Sequence, residues 1–224
     1  MISGVKPPVG TDGSAPGLAT IEDLAGIGAQ VYSALCPNEE NKNVESMEAA
    51  YRAITDLGVI FGVPDRATER VEAMQRQIAD VQAKVAGREP VKVLYYNSGE
   101  GPIDTVGGDA FVNELIELAG GVNVFGDTTE GRNEEYFQAP LERVAATSPE
   151  VFLINDNSEG EGEPGSPTRG NAKAQYLYKT FPNMPASRDQ RVMFAGYIEA
   201  EAGWRFAQVV EDLARTLHPD TFTS

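Results

Sequence analysis

Apolar residues recur at two different periods along this chain, and the change falls near Pro90. Before it the spacing is helical. Met47, Tyr51, Ile54, Leu57 and Phe61 fall on one helical face. Further on, Ala67, Val71, Met74, Ile78, Val81 and Val85 alternate steps of four and three. This second set makes a heptad seam shorter than the three or four heptads of a coiled coil, so it predicts a long helix packed along a domain. Gly62 and Pro64 punctuate the two faces, because Gly ends helices and Pro starts them. Gly87 ends the second helix.

After Pro90 the apolar residues form short continuous runs separated by helical patterns. VKVLYY, EVFLIN and RVMFAG read as strands, and GGVNVF as a turn into a short extended piece. DAFVNELIELAG reads as a helix with Asp109 as its N-cap. PLERVAATSP, AKAQYLYKTF and WRFAQVVEDLARTLHP read as further helices. Continuous apolar strands alternating with helices predict an α/β fold, a mostly parallel sheet with helices on both faces. Ligands of such sheets sit at the carboxyl ends of strands. Upstream, residues 1–17 are rich in Gly, Pro, Ser and Thr and predict an irregular start. A short helix follows, with Thr20 as N-cap, Asp23 at the capping-box position, and Gly26 and Gly28 as stops. Residues 29–35 predict a short strand.

Charge narrows the partners. The chain has 224 residues, with 34 acidic against 18 basic side chains, a net charge of −16. This excludes nucleic acid as the main partner, since phosphates must be met by Lys and Arg. No apolar run approaches the roughly 20 residues of a membrane span. Cys36 is the single cysteine, so the chain has neither an internal disulfide nor a Cys-based metal site, and an inert buried thiol is expected. Ser33–Cys36 lacks the charged start, apolar core and small preceding residue of a lipoprotein signal. His218 is the single histidine, placed at a helix C-terminus where the dipole favours it. It has no neighbouring Ser or Cys with which to build a nucleophile–base pair.

The stretch VLYYNSGEGPIDTVGGDAF places a glycine-rich loop between a strand and a helix, the usual setting for a phosphate site. Its glycines have the wrong spacing for a dinucleotide fingerprint, it contains no Lys, and Glu100, Asp104 and Asp109 would repel phosphate. The acidic loop 155–163 lacks the ligand order of a calcium loop, so no metal site is expected. No carboxylate pair stands out as catalytic. Tyr95, Tyr96, Tyr197, Trp204 and Arg205 all fall at predicted strand ends or helix starts, where a cleft would open. Tyr and Trp give large contact area, and Arg meets carboxylates bidentately, so the set suits a bulky, partly anionic ligand. Strand alternation implies that one of Tyr95 and Tyr96 points inward instead.

Four stretches carry a family resemblance: ITDLGVIFGVPDRATERVEAMQRQIADV, GGDAFVNELIELAGGVNVFGD, LERVAATSPEVFLIND and the closing VEDLARTLHPDTF. Together they resemble the substrate-binding proteins of ABC importers that take up ferric siderophores, haem and vitamin B12. The resemblance implies an extracytoplasmic binding protein, periplasmic or a cell-surface lipoprotein, that is not an enzyme and needs no cofactor. It implies residues 1–43 as a remnant of an N-terminal lobe, 44–87 as a long inter-lobe helix and 88–224 as a C-terminal α/β lobe. Full-length members carry a signal peptide, usually a lipid-anchored Cys, and a complete first lobe; this chain is expected to lack them. A ferric siderophore, haem or cobalamin-like ligand would meet Tyr95, Tyr96, Asn97, Tyr197, Trp204 and Arg205. Glu142, in LERV, would pair with Arg residues of the membrane permease. Two other readings stay open: an α/β enzyme whose catalytic half is missing, and an interaction module that does not transport.

Overall fold

The computed structural model describes residues 21–32, 46–108, 110–128, 136–155, 171–196 and 205–222. Its centre is a four-stranded parallel sheet of β1 (Val91–Tyr96), β3 (Gly121–Asn123), β5 (Val151–Asn155) and β6 (Val192–Ala195), in the spatial order β3-β1-β5-β6. A second, two-stranded antiparallel sheet pairs β2 (Ile103–Val106) with β4 (Tyr136–Ala139).

Both faces of the two central strands, β1 and β5, are covered, which is why these read as near-continuous apolar runs rather than alternating. Val93 and Tyr95 of β1, with Val151 and Leu153 of β5, enter one core. There they meet α3 (Pro64–Val85), α4 (Phe111–Leu118) and α8 (Phe206–Leu217). Leu94, Tyr96, Phe152 and Ile154 enter the other, against α5 (Leu141–Thr147), α6 (Asn171–Thr180) and α7 (Pro185–Arg188). Each of these side chains is essentially inaccessible, and burying one contributes about 1.5–3 kcal/mol. The connection from β1 to β3 runs through α4 on the first face. The chain then crosses back over β1, through α5 on the second face, to reach β5. Strand order therefore reverses between β1 and β5.

The segment that the resemblance implied as one long helix is two helices, α2 (Met47–Ile60) and α3, broken at Phe61–Val63, where the periodicity places the punctuation of Gly62 and Pro64. Gly62 sits there at φ +69 and Pro64 opens α3. On α3 the heptad seam holds, with Ala67, Met74, Ile78, Val81 and Val85 buried. On α2 the large residues Met47, Tyr51 and Ile54 only lie against the core, while the buried positions are Ala50, Ala53 and Gly58. Small residues are buried because the two helices approach closely; a Cβ on Gly58 would stand 2.3 Å from the Ala67 Cβ.

Three further expectations change. Residues 29–32 form no strand, and the remainder of that stretch lies outside the described residues. So do Met1–Gly17, Thr20, Cys36 and the acidic loop beyond Asn155. Asp109 lies outside them too, and the N-cap position of α4 is Ala110, which makes no side-chain cap. β2 and β4 occupy stretches that carry no strand signal in the sequence. They are short, and a sheet of two strands needs no long apolar run.

Candidate functional site

β1 and β5 are paired so that Tyr96 lies opposite Ile154. The next residues on each, Asn97 and Asn155, therefore emerge side by side at the carboxyl ends, at the point where strand order reverses. The Asn155 Nδ2 donates to Asn97 Oδ1 at 2.9 Å. The backbone carbonyls of the same two residues converge on one cation. Lys173 Nζ, from the first turn of α6, donates to Asn97 O at 2.6 Å and to Asn155 O at 2.5 Å. The ammonium also lies 5.9 Å from the centre of the Tyr96 ring. Charge-assisted bonds of this kind are about twice as strong as neutral ones. Lys173 thus ties together two strand ends and a helix.

Tyr96 is the aromatic wall of this cluster. Its ring stacks on Tyr176 with centres 6.3 Å apart and planes 24° from parallel. Its hydroxyl donates to Gly99 O at 3.0 Å. Burial, with Tyr176, Glu100 and Asp104 nearby, pushes that hydroxyl up to about 12. The Tyr176 hydroxyl is enclosed and finds no hydrogen-bond partner among the described residues.

The glycine-rich loop that follows is a hairpin rather than a phosphate cradle. Asn97 N donates to Asp104 O and Asp104 N to Ser98 O, at 3.0 and 2.9 Å. Ser98 Oγ donates to the Asp104 carboxylate at 2.5 Å. Gly99 turns the chain at φ +93, where a Cβ would also meet Pro102 O at 2.3 Å. β2 then runs past the end of β1, with Thr105 Oγ1 donating to Tyr95 O at 2.7 Å. Asp104, one of the three acids that would repel phosphate, thus shapes the loop.

The expected site residues separate. Tyr96 and Asn97 belong to the cluster. Tyr95 is fully buried on the opposite face of the sheet, stacked on Tyr136 with ring centres 6.5 Å apart. One of the two tyrosines was expected to point inward; both do, to opposite sides, because both faces are covered. Arg205 stands exposed at the N-cap of α8. Tyr197 and Trp204 lie outside the described residues. Asn155, Lys173 and Tyr176 were not singled out from sequence. The signal for Asn155 was its place at the end of an apolar strand; Lys173 and Tyr176 sit on a helix of unremarkable pattern. No group of three metal-ligating side chains occurs among the described residues.

Glu142 is exposed in the first turn of α5. Its neighbours are fixed. Val144 is buried, and Leu141 packs against Gly101. The Arg143 guanidinium lies 5.2 Å from the Phe125 ring centre and 5.3 Å from that of Phe137.

A sheet wound in both directions, with a polar and aromatic cluster where its strand order reverses, is the arrangement at which open α/β sheets bind ligands. Residues 20–193 match the periplasmic binding protein family, and the chain belongs to that family. The family is one of solute-binding proteins rather than enzymes. The chain is 24% identical over 184 residues to the uncharacterized ABC transporter substrate-binding lipoprotein YvrC of Bacillus subtilis, a match covering 80% of this chain and 53% of that protein. It is 24% identical over 99 residues to the vitamin B12-binding protein of Vibrio cholerae, covering 44% and 34%. Its fold is similar to that of the periplasmic heme-binding protein RhuT of Roseiflexus, with a TM-score of 0.68 at 20% identity, over 94% of this chain and 74% of that one. The chain spans about half the length of its Bacillus relative.

Proposed function

We propose that this chain supplies one wall of the ligand cleft of an ABC-importer substrate-binding protein for a metal chelate: an iron siderophore, haem or a cobalamin-like ligand. The observation that carries the reading is the cluster of Tyr96, Asn97, Asn155, Lys173 and Tyr176 at the reversal of strand order. That is where open α/β sheets bind ligands. Asn97 would meet the chelate, with the buried Tyr96 behind it and Lys173 holding the loop that carries both. Tyr197, Trp204 and Arg205 would complete the wall. Tyr95 would support the sheet from behind. The haem and vitamin B12 binding named for two similar proteins favours a large chelate over a small solute.

The same reading places the protein outside the cytoplasm and gives Glu142 a role in docking. A carboxylate on a fixed helix turn suits recognition by a permease Arg; such rim pairs set orientation and rate more than affinity. Glu142→Lys should leave chelate binding and Tm unchanged while abolishing stimulation of the permease ATPase in proteoliposomes. Equal stimulation by wild type and variant would remove Glu142 from the interface. For the cleft itself, titration of the 224-residue chain with haem, ferric trihydroxamate and cobalamin, read by Trp204 fluorescence, should quench saturably with at least one of them. Quenching that Asn97→Ala leaves untouched would place the ligand elsewhere.

A further inference from the structure

Most hydrogen-bond donors at the junction of β1, β5 and α6 are spent on the protein itself. Lys173 Nζ donates to two backbone carbonyls, Asn97 O and Asn155 O. Asn155 Nδ2 donates to Asn97 Oδ1, the Tyr96 hydroxyl to Gly99 O, and Ser98 Oγ to the Asp104 carboxylate. The Asn97 amide differs. It is half-exposed, and its Nδ2 makes no bond among the described residues.

Acceptors are disposed the other way. Glu100 is exposed at the turn of the hairpin after β1, and Asp104, on its returning arm, is half-buried. Burial first, then Tyr176, Glu100 and Asp104, hold the Tyr96 hydroxyl up to about 12, so both carboxylates act on the ring that walls the cluster. An exposed carboxylate keeps lone pairs for a ligand N–H or O–H and repels a ligand anion.

The nearby cations do not face the same way. Lys173 is half-buried and turned to its two carbonyls. Arg205 heads α8, which packs on the sheet face opposite α6. From α1 (Ile21–Gly26) through α8 the described residues carry more acids than bases, and the whole chain stands at −16. Such a field lowers the local concentration of anions and leaves uncharged ligands unaffected.

We infer that this wall selects a chelate whose facing groups are uncharged or cationic, as in a trihydroxamate complex, and discriminates against an anionic one, such as a tricatecholate complex. Asn97 donates to a ligand carbonyl, and Glu100 accepts from a ligand N–H. This selectivity rests on the cleft reading above and names the ligand class within it. The sequence pattern of aromatics with Arg205 suits a partly anionic ligand; the spent donors and the exposed acid reverse that.

The test is calorimetric titration of the 224-residue chain with two gallium complexes, an uncharged trihydroxamate and a trianionic tricatecholate. The trihydroxamate should bind at least about tenfold tighter at low salt. The two chelates differ in shape, so salt and a variant isolate charge. Raising salt from about 50 to about 500 mM should narrow the ratio at least about threefold, because screening relieves repulsion of the anion alone. Glu100→Gln should narrow it by about threefold at low salt. A tricatecholate that binds as tightly as the trihydroxamate overturns the selectivity and leaves the chelate reading standing. So does a ratio that neither salt nor Glu100→Gln moves. Binding of neither complex, nor of cobalamin or haem, removes the chelate reading and the selectivity with it.

Discussion

Lys173 shows how one side chain can serve both the fold and the site. It joins the carbonyl ends of two strands that would otherwise face solvent or each other. Replacing it with Met removes two charge-assisted bonds. It should cost about 2–3 kcal/mol in urea denaturation, since hydrogen bonds to charged groups contribute roughly 1.5–3 kcal/mol each and this one is half-buried. A loss below about 0.5 kcal/mol would mean the carbonyls find other donors. Tyr96 gives a pH signature. Its hydroxyl ionises near 10 when unfolded and is held up to about 12 when folded, chiefly by burial. The folded state therefore keeps a proton that the unfolded state loses. This contribution is full below pH 10 and fades as pH rises through 12. Tyr32, also pushed up to about 12 by burial and then by Asp56, acts in the same direction. Urea midpoints of Tyr96→Phe should fall less steeply than wild type between pH 10 and 12; equal slopes would locate the effect elsewhere. At this scale the sequence was partly legible. AGGVNVF is recognisable as a motif, and the structure shows what it does. Asn123 is buried, its Nδ2 donates to Val106 O at 3.2 Å, and its Oδ1 accepts from Phe125 N at 3.0 Å. That Asn locks the end of β3 to β2. The partners of Asn97 were not legible, because they lie 58 and 76 residues away and depend on strand register.

Among elements, periodicity found the helices and parallel strands because each buries a continuous run or a regular stripe. It misplaced the buried face of α2, where close packing favours small residues over large ones. Gly58→Ala isolates that packing. Alanine gains helix propensity by about 1 kcal/mol, yet its Cβ would stand 2.3 Å from that of Ala67. The net effect should be a loss of about 1–3 kcal/mol from overpacking, largely restored when Ala67→Gly is added. Thermal denaturation of the single and double variants measures this. A stabilised Gly58→Ala single variant would show that the two helices separate freely. The glycine-rich hairpin after β1 was legible as a loop but not as a hairpin. Its strand pairing is held by Ser98 and Asp104, whose polar character signals nothing about extended structure.

For the whole molecule, patterning predicted an α/β fold with a mostly parallel sheet and the resemblance implied a binding protein; the family match agrees with both. The central claim concerns the cleft. Its most direct test is a titration of the 15N-labelled 224-residue chain with haem, with the gallium analogue of a ferric trihydroxamate and with cobalamin, followed by amide chemical shifts. With at least one ligand, saturable shifts should centre on Tyr96 to Ser98, Asn155 and Lys173 to Tyr176, and spare Val59 to Val63. Shifts that avoid the ends of β1 and β5 with every ligand, or no shifts at all, would contradict the account.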